Sequence, residues 1–307
     1  MPFKFTFRGV RGSYAVPGPS TLRVGGNTTC LEVRVEGNLI LFDAGTGIIQ
    51  VGREVAEELA ERRKTQPDAR VVASIFFSHM HHDHTQGFPF FKPVYFETSE
   101  LHLFGPRMMN TDFGSGLATA LLSPLFPVEL SDMRAAKHIH NIYDTDVVVY
   151  PLSGEAPVMV KNKNGAEEYG PETPRVRCCH SYAHPNGGSM VYRIEWNGKS
   201  VVFATDVEGY VGGDQRLIHF AKGADALIHD AQYEEKRYFG YPNPVQGFGH
   251  STPEMAAHVA RSAGVRRLFL HHHDPESDDE LVEAMAERAR KSFPNTQPAV
   301  EGLTIEL

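Results

Sequence analysis

An α/β fold with its chemistry at strand ends is predicted by three features of this sequence. Apolar runs of strand character alternate with stretches of helical period along most of the chain. Five of those runs lead into acidic or imidazole side chains: Asp43, His79, Asp206, Asp230 and the triplet His271 to His273. With 307 residues, 41% of them hydrophobic, the chain can bury a full core. In α/β proteins, strand ends gathered on one edge of a sheet are where functional groups collect. The five are therefore expected to form one site on one sheet edge.

Taken in order, Phe3, Phe5 and Phe7 alternate as in a half-buried strand. Leu31 to Val35 and Leu39 to Phe42 read as a hairpin turning at Gly37-Asn38, which delivers Asp43 into a Gly-rich loop. VGREVAEELAERRK follows at helical period. RVVASIFFSH is a continuous apolar run, expected of a buried strand, and it enters the stretch FFSHMHHDHTQG. Residues 93–174 are less regular and read as an inserted subdomain, part helix and part hairpin, lying over the site. Alternation resumes at MVYRIEWNGKSVVFATD, a hairpin about Asn197-Gly198 ending at Asp206. ADALIHDAQY (strand), TPEMAAHVARSAG (helix), VRRLFLHHHDP (strand), a helix near Glu276 to Lys291 and a last strand in GLTIEL complete the pattern. No solenoid or propeller period is present.

The formal charge of −8 disfavours a general nucleic-acid groove, which draws on clustered Lys and Arg. Long nucleic acid is therefore not the expected partner. A small anionic substrate stays open, because bound cations supply local positive charge. Three cysteines, Cys30, Cys178 and Cys179, are an odd number with two adjacent, so buried thiols in a reducing compartment are expected. The opening MPFKFTFRGVRGS lacks a signal-peptide core, and no run reaches the roughly 18 apolar residues of a membrane span. A cytoplasmic location without membrane contact is the expectation.

His79-x-His81-x-Asp83-His84 carries the most information. Imidazoles two apart on a loop leaving a strand can point at one cation, and the Asp and His that follow can turn to a second. An exposed histidine-rich loop is the competing reading, disfavoured by the preceding strand and by Asp83 inside the run. Alone, His184 in AHPNGG reads as a turn residue and Asp206 as a strand-end cap. The order of motifs changes that weighing.

Those motifs together resemble the metallo-β-lactamase superfamily: Asp43 in LFDAGTG, the His79–His84 run, His184 in SYAHPNGGSMVYRIE, Asp206 in FATD and a histidine in LFLHHHDP. Within it, GFGHSTPEMAAHVARSAGVRRLFLHHHD is similar to the ribonuclease Z-like phosphodiesterase branch. The resemblance spans the chain apart from roughly 93–174 and implies a four-layer αβ/βα sandwich. It implies two divalent metal ions per chain: zinc first, with manganese or iron also accepted by such a ligand set. His79, His81 and His184 would hold one ion, and Asp83, His84 and His272 the other, with Asp206 bridging. His271 and His273 stay open as substitutes for His272. Asp43 would not ligate but would orient the histidine loop through hydrogen bonds. The family further implies a homodimer.

Two such ions acidify a water and clamp a phosphoryl group. Asp83 or Asp206 would orient that water. The resemblance assigns His250 of GHST to phosphate contact and leaving-group protonation, with Asp230 as its acidic partner. The branch commonly has Glu where this chain has Asp230, one methylene shorter. Ser251-Thr252-Pro253-Glu254 also reads as a helix start, which beside metals suits a phosphate and makes Ser251 a candidate substrate contact. Asn27, in a GGNTT stretch similar to the branch's Asn-Thr-Ser, is a second candidate contact.

The reading that results is a metal-dependent phosphodiesterase for a small substrate such as a cyclic nucleotide. Against tRNA 3′-processing stand the acidic balance, the lack of a basic Gly/Pro-rich arm and the scatter of Lys92, Arg107, Arg134, Lys137, Lys161 and Lys163. Phe90, Phe91, Tyr95, Phe104, Phe113 and Phe126 could wall a base pocket, though core is the commoner use of such residues. A β-lactamase or thioester hydrolase would need no His250–Asp230 pair. A non-catalytic ligand sensor would not need its metal ligands intact.

Overall fold

Strands buried on both faces need a layer packed on each side of their sheet. The computed structural model describes residues 3–307 apart from 108–109, 125, 152–155 and 162–167, and it supplies those layers. The first half of the chain runs β1 (Lys4–Gly9), β2 (Cys30–Val35), β3 (Asn38–Phe42), α1 (Ile48–Arg63), β4 (Val71–Phe76), α2 (His82–Thr85), β5 (Ser99–Pro106), α3 (Phe113–Thr119), β6 (Ala136–Ile142), β7 (Val147–Val149) and β8 (Val158–Val160). The second half runs β9 (Arg175–Ser181), β10 (Ser189–Trp196), β11 (Lys199–Ala204), α4 (Gln215–Phe220), β12 (Ala226–Asp230), α5 (Glu235–Phe239), α6 (Pro253–Ala263), β13 (Leu268–His271), α7 (Asp279–Arg290), β14 (Thr296–Pro298) and β15 (Thr304–Glu306).

One seven-stranded sheet has the order β15-β1-β2-β3-β4-β5-β6, and an eight-stranded sheet the order β14-β13-β12-β11-β10-β9-β7-β8. Strands β3 to β6 are mutually parallel, as are β11 to β14. Phe42, Phe76 and Phe104 of the first sheet meet Tyr192, Phe203 and Phe269 of the second in a shared core. Burying each such side chain is worth roughly 1.5–3 kcal/mol. The alternate residues Leu41, Ile75 and Leu103 face outward against α1 and α3. On the other side Val202, Leu227 and Leu268 pack under α4, α6 and α7. The result is the four-layer αβ/βα sandwich.

Several expectations change in detail. The first hairpin turns at Glu36-Gly37, both at positive φ (45° and 79°), and Asn38 already belongs to β3. The described residues of 93–174 are built into both sheets, and Arg107 and Tyr143 among them wall a cleft beside His79 and His81. Strands β5 and β6 extend the first sheet and β7 and β8 the second. The polar pattern of SELHLFGP and AKHIHNI hid these strands, because Glu100, His102, His138 and His140 interrupt the apolar run. The polar turn read near 161–174, with Lys163, lies partly outside the described residues. All three cysteines are free, with Cys30 and Cys178 buried. No described helix is long and apolar enough to cross a membrane.

Candidate metal centre

The chemistry follows the C-terminal ends of parallel strands in both sheets, not along one edge of one sheet. Asp43 and the His79–His84 loop leave β3 and β4, while Asp206, Asp230 and His272 leave or end β11, β12 and β13. Because the two sheets face each other across one core, their strand ends converge on a single cleft. Asp43, Asp206 and His272 sit at φ of 61°, 53° and 61°. Left-handed backbone at non-glycine residues costs of order 1–3 kcal/mol each and persists only where the surroundings enforce it.

Two of the groups of ligand atoms that result, each within 4.8 Å, share Asp206: His79, His81, His184 and Asp206; and Asp83, His84, Asp206 and His272. In the first, His81 Nδ1 lies 3.1 Å from His184 Nε2, and Asp206 Oδ1 lies 3.7 and 3.8 Å from the Nε2 atoms of His79 and His184. In the second, His84 Nε2 stands 3.1 Å from Asp83 Oδ2 and 3.2 Å from Asp206 Oδ2. His272 Nε2 is 3.1 and 3.3 Å from the same two oxygens. Asp206 thus turns one oxygen to each group. Ligands on a tetrahedral ion with bonds of about 2.0–2.1 Å stand roughly 3.3–3.4 Å apart, close to these separations. His79 Nε2, buried, has no hydrogen-bond partner among the described residues. An imidazole lone pair aimed into a polar cluster without a donor is what a cation would satisfy, so the residues fit divalent metal. His82 is exposed and joins neither group.

Electrostatics point the same way. Burial pushes Asp206 up, yet His272, His84 and His79 outweigh it and hold its carboxyl well below the usual range. Burial likewise opposes, and His84 and His272 reverse, the shift of Asp83, which also ends well below. Burial pushes His84 down, but Asp83, Asp206 and Asp43 raise it well above an ordinary imidazole. His272, also pushed down by burial, is raised to about 9 by Asp206 and Asp83. Buried carboxylates gathered in this way call for positive charge beside them, which divalent ions would supply.

The supporting shell orients each ligand. Asp43 accepts from the Ser78 amide (2.7 Å) and hydroxyl (2.9 Å), and its Oδ2 lies 2.8 Å from His84 Nδ1. That leaves His84 Nε2 for the cluster, the buttress role expected of Asp43. His184 Nδ1 reaches Gly249 O at 3.1 Å, and His272 Nδ1 reaches Gln232 Oε1 at 3.0 Å. The Ser13 amide donates to Asp83 Oδ2 at 2.8 Å. Sequence reading missed Ser13, Ser78, Gln232 and the Gly249 carbonyl, because ordinary polar residues and backbone carry no motif. The three consecutive histidines separate cleanly. His271 Nε2 is bonded to Gly9 O (3.1 Å) and His273 Nε2 to Ala299 O (3.0 Å), and only His272 enters a cluster.

His250 Nδ1 lies 2.8 Å from Asp230 Oδ2, so the shorter acid still makes the contact. Asp230 also accepts from the backbone amides of Ser251, Gln232 and Asp206. The His250 ring stacks on His272 at 5.0 Å and meets His184 edge-on at 5.1 Å, which places it against both groups. Ser251 is placed differently from the expectation. Its hydroxyl is fully buried and donates to Val207 O, and its amide donates to Asp230, so neither is free for a substrate. Asn27 is not brought to the cluster as a contact either: its side-chain amide donates to Glu301 Oε2 at 2.9 Å.

A cleft of about 920 Å³ opens beside His79 and His81, walled by Tyr143, Tyr182, His180 and Arg107. None of the six aromatics that could have walled a base pocket lines it, in keeping with core as their commoner use. Phe91, Phe104 and Phe113 are fully buried core, and Phe126 packs on the outer layer.

Fold and site together define a hydrolase built on two facing sheets with a histidine–aspartate metal centre. Residues 38–273 match the profile of the beta-lactamase superfamily domain. The chain belongs to the metallo-β-lactamase superfamily, and it is similar along nearly its whole length to proteins named Ribonuclease Z. It is 25% identical to the Ribonuclease Z of Thermoplasma acidophilum, over 99% of this chain and 96% of that one. Its fold is similar to that of the metallo-beta-lactamase fold protein YhfI from Bacillus subtilis (TM-score 0.63, 17% identity, 100% of both chains). It is also similar to that of human tRNase Z, short form (TM-score 0.59, 18% identity, 98% of both chains).

Proposed function

We propose that this chain hydrolyses phosphodiester bonds at a two-ion centre, with RNA as the favoured substrate class. The observation that carries the reaction class is the His250–Asp230 pair, set 2.8 Å apart against both ligand groups. Bound at those groups, divalent ions would acidify a water and polarise the phosphoryl oxygens. Asp83 and Asp206 orient around them. Asp230 holds the His250 imidazole by Nδ1, so Nε2 is left to give a proton to the departing oxygen. A β-lactam or thioester reaction has no use for that pair.

The curated relatives support RNA over the small substrate expected from charge alone, since those matched along nearly their whole length are named Ribonuclease Z. The net charge of −8 does not exclude it, because ions at the centre meet the phosphate locally. A small phosphodiester is the second reading, favoured by the cleft of about 920 Å³, which is within small-molecule range.

The zinc- or manganese-loaded protein should be assayed on precursor tRNA, cyclic nucleotides and bis-p-nitrophenyl phosphate. Cleavage of precursor tRNA near its 3′ end far above the cyclic nucleotides is the expected result; the reverse order favours the second reading. His250→Ala should cut turnover about 10²–10⁴-fold on natural esters and much less on the p-nitrophenyl ester, whose leaving group needs no proton. Metal content should hold. Equal, small losses on both substrates would remove His250 from the mechanism.

A further inference from the structure

Strands β5 and β6 carry a second concentration of metal-competent side chains, outside the centre described above. Their parallel register pairs His102 with His138 and Phe104 with His140, so Glu100, His102, His138 and His140 share one face. On that face the ligand atoms of Glu100, His102 and His138 all lie within 4.8 Å of one another. Glu100 Oε1 stands 3.4 Å from His102 Nε2 and 3.5 Å from His138 Nε2. These separations are close to the roughly 3.3–3.4 Å that a tetrahedral ion imposes on its ligands.

Two further observations point to a ligand. His102 is 3% exposed, yet its Nδ1 has no hydrogen-bond partner among the described residues and its Nε2 has only the 3.4 Å approach of Glu100. Buried imidazole nitrogens are ordinarily satisfied, and a cation is one way to satisfy them. The ring arrangement also repeats one seen at the main centre. His102 and His138 stack with centroids 4.7 Å apart and planes 15° apart, as His84 and His272 do at 5.3 Å and 21°.

We propose that Glu100, His102 and His138 form a further divalent-cation site, for zinc or a similar borderline transition metal, that rivets the edge strand β6 to β5. Two imidazoles and one carboxylate suit such ions better than magnesium or calcium. The His138 side chain is 48% exposed, which gives the ion a route in and lets water complete its shell. The site is separate from the main centre. His102 pairs with Ser74 in the middle of β4, whereas the main centre begins beyond the end of that strand at Phe76.

The test titrates metal-stripped protein with Co²⁺, following its visible absorption and counting bound metal by elemental analysis. Wild type is compared with His138→Ala and with Glu100→Gln, a near-isosteric change that guards against misfolding. His82→Ala serves as the exposed-histidine control. Both site variants should bind one cobalt fewer per chain than wild type and the control, while bis-p-nitrophenyl phosphate turnover is retained. Equal cobalt binding in all four proteins would overturn the proposal and leave the cluster as stacked histidines beside a glutamate. Because the readout is metal stoichiometry, it stands or falls independently of the phosphodiester reading.

Discussion

At Gly12 the backbone passes so close to the His272 ring that a Cβ there would run into its Cε1 and Nδ1 atoms. His272 needs that room because its φ of 61° and its bond to Gln232 leave the ring one position, facing Asp83 and Asp206. Gly12→Ala should therefore displace a ligand without touching any motif. Zinc affinity, measured by competition with a chromophoric chelator, is expected to fall about 10–100-fold, the usual cost of disturbing ligand support. Unchanged affinity would mean that the ring has slack the packing does not suggest. Asp206 is constrained in the same way: its two oxygens serve different groups only because its left-handed backbone aims the side chain between them.

The loop before α6 and the helix itself present His250, and each has its own fastening. Glu208 gathers the loop by accepting from the Gly247 amide (2.7 Å), the Gly249 amide (3.0 Å) and the Tyr238 hydroxyl (2.5 Å). Gly249 also lends its carbonyl to His184, so one loop ties the proposed acid to a metal ligand. Glu208→Ala should lower phosphodiester turnover about 10–100-fold through misplacement of His250, with circular dichroism unchanged. Full activity in that variant would show that Asp230 alone holds the histidine. The helix is capped by the Thr252 hydroxyl, which accepts from the Met255 amide at 3.3 Å, and closes on Gly264 at φ 63°. Thr252→Ala should cost about 1 kcal/mol of stability in urea unfolding, with kcat little changed. A large activity loss would instead assign the cap a part in positioning the site.

Across the whole molecule, the candidate ligands come from both sheets: His79, His81, Asp83 and His84 from the first, His184, Asp206 and His272 from the second. Bound ions would then link the two halves of the sandwich and stabilise the folded state by mass action. Metal held at 100 times its dissociation constant adds about 2.7 kcal/mol. Stripping with a chelator should lower the melting temperature and restoring zinc should raise it, as followed by scanning calorimetry. A melting temperature indifferent to metal would contradict a cross-sheet centre. The last strand contributes at the same scale, since β15 pairs with β1 (Phe5 opposite Ile305) and brings the first and last described strands together in one sheet.

Much of this was legible in the order of residues. Apolar periodicity names strands and helices because burial of alternate or every-third-and-fourth side chains is a local constraint. The ligand run His79 to His84 is readable because its members share one short loop. Hydrogen bonds that span the chain are not encoded locally. The Gly9 carbonyl that occupies His271, the Ala299 carbonyl that occupies His273 and the Gln232 that orients His272 are partners chosen by packing. The same holds for Asn27, taken by Glu301, and for Ser251, taken by Val207. Strands β5 and β6 escaped notice because Glu100, His102, His138 and His140 break the apolar run, and β6 is a largely exposed edge strand. The sequence by itself determined the ligand types, their order and the family. Only the tertiary structure decided which atoms face which, because a side chain's free valences depend on what distant backbone brings against it.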